Sequence, residues 1–331
     1  MATAQYVSRR SVPDPRADAA TRHTVLIALA ANGVIAVAKL VAGIMTGSSA
    51  MLAETAHSIA DTFNQAFLLV SLNLSAREPT PDRPFGHGQE RFLWTFMAAI
   101  GMFLAGAAFA VGYGIFQLLK PSEFGDEYLP AYAVLGVSLV AEGTSWLRAR
   151  HQTEAEARAA GRPLLEHIRR SRDPNVKMVL FEDSAALAGI VVAGGGLVLR
   201  QVTGAPAWDA GASVLIGVML MGVALVLARD TRHLLVGAAA HPDERAAIER
   251  VIAQHPGIAR VHELLTLVLG PKALLVAARV ELRDDLTADQ VECLASEIEE
   301  RLREVVPDVT EVFLDPTPPR GLSPACDPGP A

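Results

Sequence analysis

The sequence predicts an α-helical membrane protein with six transmembrane helices, followed by a small α+β domain, and three observations carry that reading. Hydrophobic residues make up 51% of the 331 residues and charged residues only 20%, a balance that places much of the chain in lipid. Six apolar stretches, at 24–45, 50–74, 92–118, 128–147, 177–199 and 209–229, have the length needed to cross a bilayer core of about 30 Å. After residue 230 the chain turns hydrophilic, and its apolar residues fall into short helix-like and strand-like runs.

Taken in order, the first element is a polar tail, 1–22, without the apolar core of a cleaved signal peptide, so the first span is expected to direct insertion. The transmembrane domain is read as 23–230. Arginines crowd the tail (Arg9, Arg10, Arg16, Arg22), the second connection (Arg77, Arg83, Arg91) and the fourth (Arg148 to Arg172), whereas Lys120 and Arg200 are the basic residues of the odd-numbered connections. By the positive-inside rule both termini face the cytoplasm, and a cell (inner) membrane location is expected. The fourth connection, 149–175, reads as a charged surface helix ended by Asp173-Pro174.

The cytoplasmic domain is read as 231–316. HPDERAAIERVIAQHPG has helical spacing, and VHELLTLVLG and ALLVAARVEL are strand-like runs divided by Gly270-Pro271-Lys272. LTADQVECLASEIEERLREVV is an amphipathic helix capped by Thr287, and VTEVFLDP is a last strand. The order α-β-β-α-β suits a two-layer module. Residues 317–331, rich in Pro and Gly, are expected to be disordered. Cys293 and Cys326 stand far apart in this region with no CxxC, which fits a reducing compartment. The net charge of −7 argues against a nucleic-acid partner.

Ionisable groups inside spans are costly and mark function. The second span, MLAETAHSIADTFNQAFLLV, sets Glu54, His57, Asp61 and Asn64 within an arc of about 80°, with His57 and Asp61 roughly 6 Å apart along the axis. An imidazole and a carboxylate one turn apart can share one cation, and these donors suit zinc and other first-row divalent ions. The fifth span opens VLFEDSAALAG, where Glu182 and Asp183 point about 100° apart. Asp183 is favoured as a direct ligand; Glu182 stands as a second ligand, a proton carrier or a partner to another helix. Lys39 in the first span is expected to snorkel or to pair with a carboxylate such as Glu54. Glu142 in the fourth lies where it can line a cytoplasmic opening or pair with an arginine. Glu54, Glu142 and Lys39 are thus candidates for proton or gating roles.

The run AGIMTGSSAMLAETAHSIADTFNQAFLL followed by RPFGHGQERFLWTF resembles the second span and loop of the cation diffusion facilitator family. EDSAALAG and the VHELLTL, VELRDDLTADQVECLASEIEERL and VFLDP segments are similar to the same family, so the resemblance runs from about 23 to 316. It implies a ferredoxin-like cytoplasmic domain that holds a homodimer, and zinc export coupled to proton entry by alternating access. The ion is then cargo and no prosthetic group is expected. Matched to the family's central site, His57, Asp61 and Asp183 are ligands, and the position one turn before Asp183 is Val179, which leaves the fourth ligand to Glu182, a water or another helix. His87 of PFGHG matches a secondary ion position, with Asp82 as co-ligand. His262 and Asp315 match regulatory positions in some members, but the companion positions are Arg279, Glu292 and Phe313, which do not complete a binuclear site.

Metal ligands bind deprotonated, so affinity depends on pH and that linkage provides coupling. An intramembrane metalloprotease would show HExxH, which is absent; the chain is not read as an enzyme. A membrane metal sensor would bind ions without proton counter-flow. Zinc leads, with iron(II), manganese and cobalt as alternatives for the same donors.

Overall fold

A computed structural model gives the chain six long helical stretches and, after them, a three-stranded sheet with two helices. It describes residues 15–120, 128–159, 161–171 and 174–316. The expected tail at 317–331, Asp173 of the fourth connection and the first 14 residues of the expected N-terminal tail lie outside the described residues. What is described divides into two compact units, one ending at Arg232 and the other starting at His233.

In the first unit, α1 (Pro15–Thr46) turns into α2 (Ser49–Ser75) within two residues. Gly47 makes the turn at φ 62°, a left-handed conformation glycine adopts without Cβ strain. Ser48 then caps α2 by accepting from the Met51 N–H at 3.1 Å. The third stretch consists of α3 (Glu90–Gly101), a π-helical segment (Met102–Ala108) and α4 (Phe109–Leu119). Next come α5 (Leu129–Ala159), the short α6 (Leu164–Arg170), α7 (Pro174–Thr203) and α8 (Ala207–Gly237).

The fourth connection corrects one expectation, because it does not form a helix of its own over 149–175. Instead α5 continues unbroken to Ala159, and only Leu164–Arg170 is separate. The segment TEAEARA is made largely of strong helix formers that extend a helix already nucleated. Gly161, at φ 64°, and Pro163 stop it.

Four stretches among the described residues are long and apolar enough to cross a membrane: 29–46, 90–119, 177–203 and the one that begins at Ala207. Helices α2 and α5 are of similar length, 27 and 31 residues, but polar residues interrupt their apolar runs. In α2 that polar side is turned inward, since His57, Ser58, Asp61 and Asn64 are all buried. The outward side of α1 is the opposite, with Val34, Val37, Val41 and Ile44 exposed, as lipid contact requires.

Without water to drive helices together, close packing in a bilayer depends on small residues. Helix α8 meets α4 at Gly217, where an added Cβ would stand 2.8 Å from the Val111 nitrogen and 2.9 Å from the Ala107 carbonyl oxygen. The Ser213 hydroxyl donates to the Ala110 carbonyl at 2.9 Å in the same seam.

In the second unit, α9 (Pro242–Ala253) starts with a capping box in which Asp243 N–H donates to His241 and the His241 N–H donates to Glu244. β1 (Ile258–Gly270) and β2 (Ala273–Leu282) pair antiparallel, α10 (Ala288–Val305) crosses over, and β3 (Val309–Asp315) pairs parallel with β2. Thr287 caps α10 in a reciprocal pair with Gln290. Ile248, Ile252, Leu294, Ile298 and Leu302 of the helices and Val268, Leu274, Val276 and Val280 of the sheet are buried. On the other face the register aligns Leu265, Ala277 and Phe313 in one row, and Leu265 and Phe313 are exposed.

Gly217→Val should lower the thermal stability of the detergent-solubilised protein by roughly 1–3 kcal/mol, because two of the three atoms it would clash with are backbone and cannot turn aside. Gly222→Val on the same helix meets open space and should leave the melting temperature within error, as read by size-exclusion survival after heating.

Candidate metal centre

Helix α2 presents its polar face to the interior of the first unit: Glu54, His57, Asp61 and Asn64 are no more than 5% exposed. The spacing of three, four and three residues keeps them on one side, and the buried alanines Ala50 and Ala53 before them and Ala56 and Ala60 between them let neighbours approach. His57 Nδ1 lies 3.4 Å from Asp61 Oδ1, near enough for ion pairing but not aligned as a hydrogen bond. Among the described residues neither ring nitrogen of His57, nor Asp61 Oδ1, has a hydrogen-bond partner. A buried polar atom without a partner costs about 1–3 kcal/mol, so this cluster is an expensive arrangement unless it serves binding.

Helix α7 approaches α2 through Glu182. Asn64 Nδ2 donates to Glu182 Oε1 at 2.9 Å, and Asp61 and Glu182 lie near enough for each carboxyl group to act on the other.

Asp183 faces α5 instead. Its Oδ2 accepts from the Ser145 hydroxyl at 3.0 Å, while Trp146 Nε1 donates to the Ser184 hydroxyl at 2.9 Å in the same seam. The adjacent acids thus reach different helices, as their 100° offset requires. Glu142, also on α5, is 7% exposed and close enough for its charge to act on Asp61 and Asp183. Val179, a half-buried side chain one turn before Asp183, offers no donor. Among the described residues no group of three His, Cys, Asp or Glu side chains is near enough to hold an ion as placed.

Lys39 does not snorkel. Its Nζ is 3.0 Å from Glu54 Oε2 and 2.8 Å from the Ser58 hydroxyl, and both charged side chains are fully buried. The pairing with Glu54 was one of the two readings open to the sequence; Ser58 was not foreseen.

The outlying candidates are not gathered into sites. Asp82 is exposed, and His87 is half-buried with Nε2 hidden and unbonded. Their loop is folded by the Thr80 to Arg83 bridge and the Arg83 to Glu90 ion pair. In the second unit His262 pairs with Glu281 at 3.2 Å, whereas Asp315 accepts from Arg279 at 3.1 Å. Arg279 also reaches Glu263 at 3.1 Å. A guanidinium between two carboxylates is a charge-satisfied group.

Sequence reasoning missed Asp209. It is fully buried at the start of α8 and accepts from the Ser49 N–H at 2.6 Å, the Ser49 hydroxyl at 2.7 Å and the Ser48 hydroxyl, with Arg200 at 3.9 Å. An aspartate at the α2 N-terminus satisfies its free N–H and matches its dipole. The one signal in the sequence was an acid at the first position of the sixth apolar stretch, with nothing local to tie it to the Ser48-Ser49 start of α2.

The family model for the cation efflux transmembrane domain matches residues 25–236, and that for the cation efflux protein cytoplasmic domain matches 240–318. The chain is 33% identical over 257 residues to the proton-coupled zinc antiporter SLC30A9, mitochondrial, of Xenopus laevis, covering 78% of this chain and 46% of that protein. It is 31% identical over 236 residues to metal tolerance protein C4 of Arabidopsis thaliana, covering 71% and 51%. Against the manganese efflux system protein MneP of Bacillus subtilis identity is 22% over 307 residues, 90% of this chain and 96% of that one. The chain thus spans about half the length of the first two relatives.

Asp209→Ala should destabilise the solubilised protein by roughly 1–3 kcal/mol, since two serine hydroxyls and a helix N–H lose a buried acceptor. Heating curves of the detergent-purified variant check it; an unchanged midpoint would remove Asp209 as the anchor of α2.

Proposed function

The chain belongs to the cation diffusion facilitator, or cation efflux, family, and from that membership we propose that it exports a divalent metal ion, zinc first, in exchange for protons. The observation that carries this reading is the buried His57, with both ring nitrogens unbonded among the described residues, 3.4 Å from Asp61 and on the helix face that Glu182 of α7 meets through Asn64. The family is one of transporters, and transport rather than catalysis is the activity it supports.

The proposed ligands are His57, Asp61 and Asp183, with Glu182 supplying the donor that Val179 does not. As placed, Glu182 is already against α2 and Asp183 is held by Ser145, so Asp183 joins when it leaves that hydroxyl. An entering ion displaces protons from these side chains; on the other side of the membrane, protons return and release the ion. The exchange follows from both species competing for the same oxygen and nitrogen lone pairs.

The relatives bear on the ion. One is named a zinc antiporter and another a manganese efflux protein. An imidazole with carboxylates suits zinc, and the excess of carboxylates suits manganese or iron(II) as the alternative. The grouping of arginines supports a cell-membrane protein with both termini in the cytoplasm. The cytoplasmic-domain match, together with the exposed row of Leu265 and Phe313 on the open sheet face, supports a homodimer joined through that domain. The proposed domain limits are those of the sequence reading: 23–230 in the membrane and 231–316 in the cytoplasm.

Purified protein in liposomes should move zinc only with opposite proton movement, recorded by a metal dye and a pH dye across a panel of divalent ions. Asp61→Asn should cut that flux at least a hundredfold, and Glu182→Gln and Asp183→Asn at least tenfold, each about 1.4 kcal/mol or more of lost site stabilisation. Full flux in Asp61→Asn ends the assignment; zinc binding with no proton movement would favour a sensor.

A further inference from the structure

The proposed transport step leaves the buried charged groups Lys39, Glu54 and Glu142 without a part. Lys39 is fully hidden among helices, and its ammonium sits on Glu54 and Ser58. Glu54 in turn lies against α7, where Gly189 leaves the space: an added Cβ there would run into the Glu54 carboxyl. The pair therefore joins α1, α2 and α7 at one point, a turn above His57 on the same helix face.

A purely adhesive contact between helices would be met by hydroxyls or amides at lower cost, since breaking water away from two full charges consumes most of their attraction. Here the charges are kept, and Glu54 Oε1 is still left without a hydrogen bond. The groups facing this pair are His57 and Asp61 from α2 and Glu142 from α5. Lys39 is close enough for its charge to act on His57, Asp61 and Glu142, and Glu54 for its charge to act on Glu142. A fixed unit charge acts twice as strongly on a divalent ion as on a proton at the same place.

We propose that Lys39 and Glu54 are a charge-balanced pair that sets how tightly the neighbouring site holds its divalent ion, Lys39 loosening it and Glu54 tightening it. Both are positioning residues; neither touches the ion. With both present their fields offset, and the ion is held firmly enough to load and loosely enough to leave. The inference rests on the transport reading of His57, Asp61 and their α7 partners.

The test is the sign of the effect. In proteoliposomes, Lys39→Gln should lower the KM for zinc on the order of tenfold and lower the maximal rate, because release slows. Glu54→Gln should raise KM by a similar factor. The double variant should return KM to within about threefold of wild type, and Lys39→Arg, which keeps the charge, should stay near it. A merely structural pair would give both single variants the same loss of rate and yield with KM unmoved, or moved in one direction, and either result overturns the proposal. If one single variant fails to assemble, the other decides, since an unmoved KM there is equally fatal. Wild type that moves no ion removes the transport reading and this inference with it; wild type that transports, with singles that do not split in sign, removes this inference alone.

Discussion

Burying a carboxylate or an imidazole in a membrane costs several kcal/mol unless something returns that energy, and the transmembrane unit is organised around this constraint. Its interior contains His57, Asp61, Asn64 and Glu54 from α2, Glu182 from α7, Glu142 from α5 and Lys39 from α1. Some of the cost is met locally, by Asn64 on Glu182 and by Lys39 on Glu54. Among the described residues the ring nitrogens of His57 and one oxygen each of Asp61, Glu54 and Asn64 are still unmet, and in the proposed function the cation, with its own charge and vacant orbitals, binds at the first two.

The surrounding architecture serves that placement. Gly47 and Ser48 fix where α2 begins, and Asp209 satisfies its first turn. Because α2 is held at that end, its polar face keeps one orientation toward α7 and α5. Small residues allow the third stretch to pass close to α2 and α8: at Gly106 of the π-helical segment an added Cβ would be 3.4 Å from Leu220 and 3.9 Å from Ala60. A π segment in a helix beside a functional face is a recurrent arrangement, and Ala60 precedes Asp61.

Much of this was legible in the sequence. Hydrophobic runs read directly as helices, and the period of 3.6 placed Glu54, His57, Asp61 and Asn64 on one face because periodicity is a local property. The cytoplasmic strands and the Thr287 cap were equally local. What was hard to read depended on which neighbour a side chain meets. Nothing in EDSAALAG says that Glu182 turns to α2 while Asp183 turns to Ser145, and a lysine in an apolar run reads alike whether it snorkels or pairs. Asp209 was passed over because its role is to cap a helix 160 residues away in the chain. The end of α5 was misjudged because charged residues suggest a boundary, while helix propensity ignores charge and carried the helix on to Ala159.

The central claim is that His57 is a first partner of the ion within the membrane. X-ray absorption at the zinc edge on zinc-loaded, detergent-purified protein tests it most directly, wild type against His57→Ala. The account predicts a nitrogen and oxygen shell at about 2.0–2.2 Å with imidazole scattering that diminishes in the variant. A spectrum identical in the two proteins would contradict it.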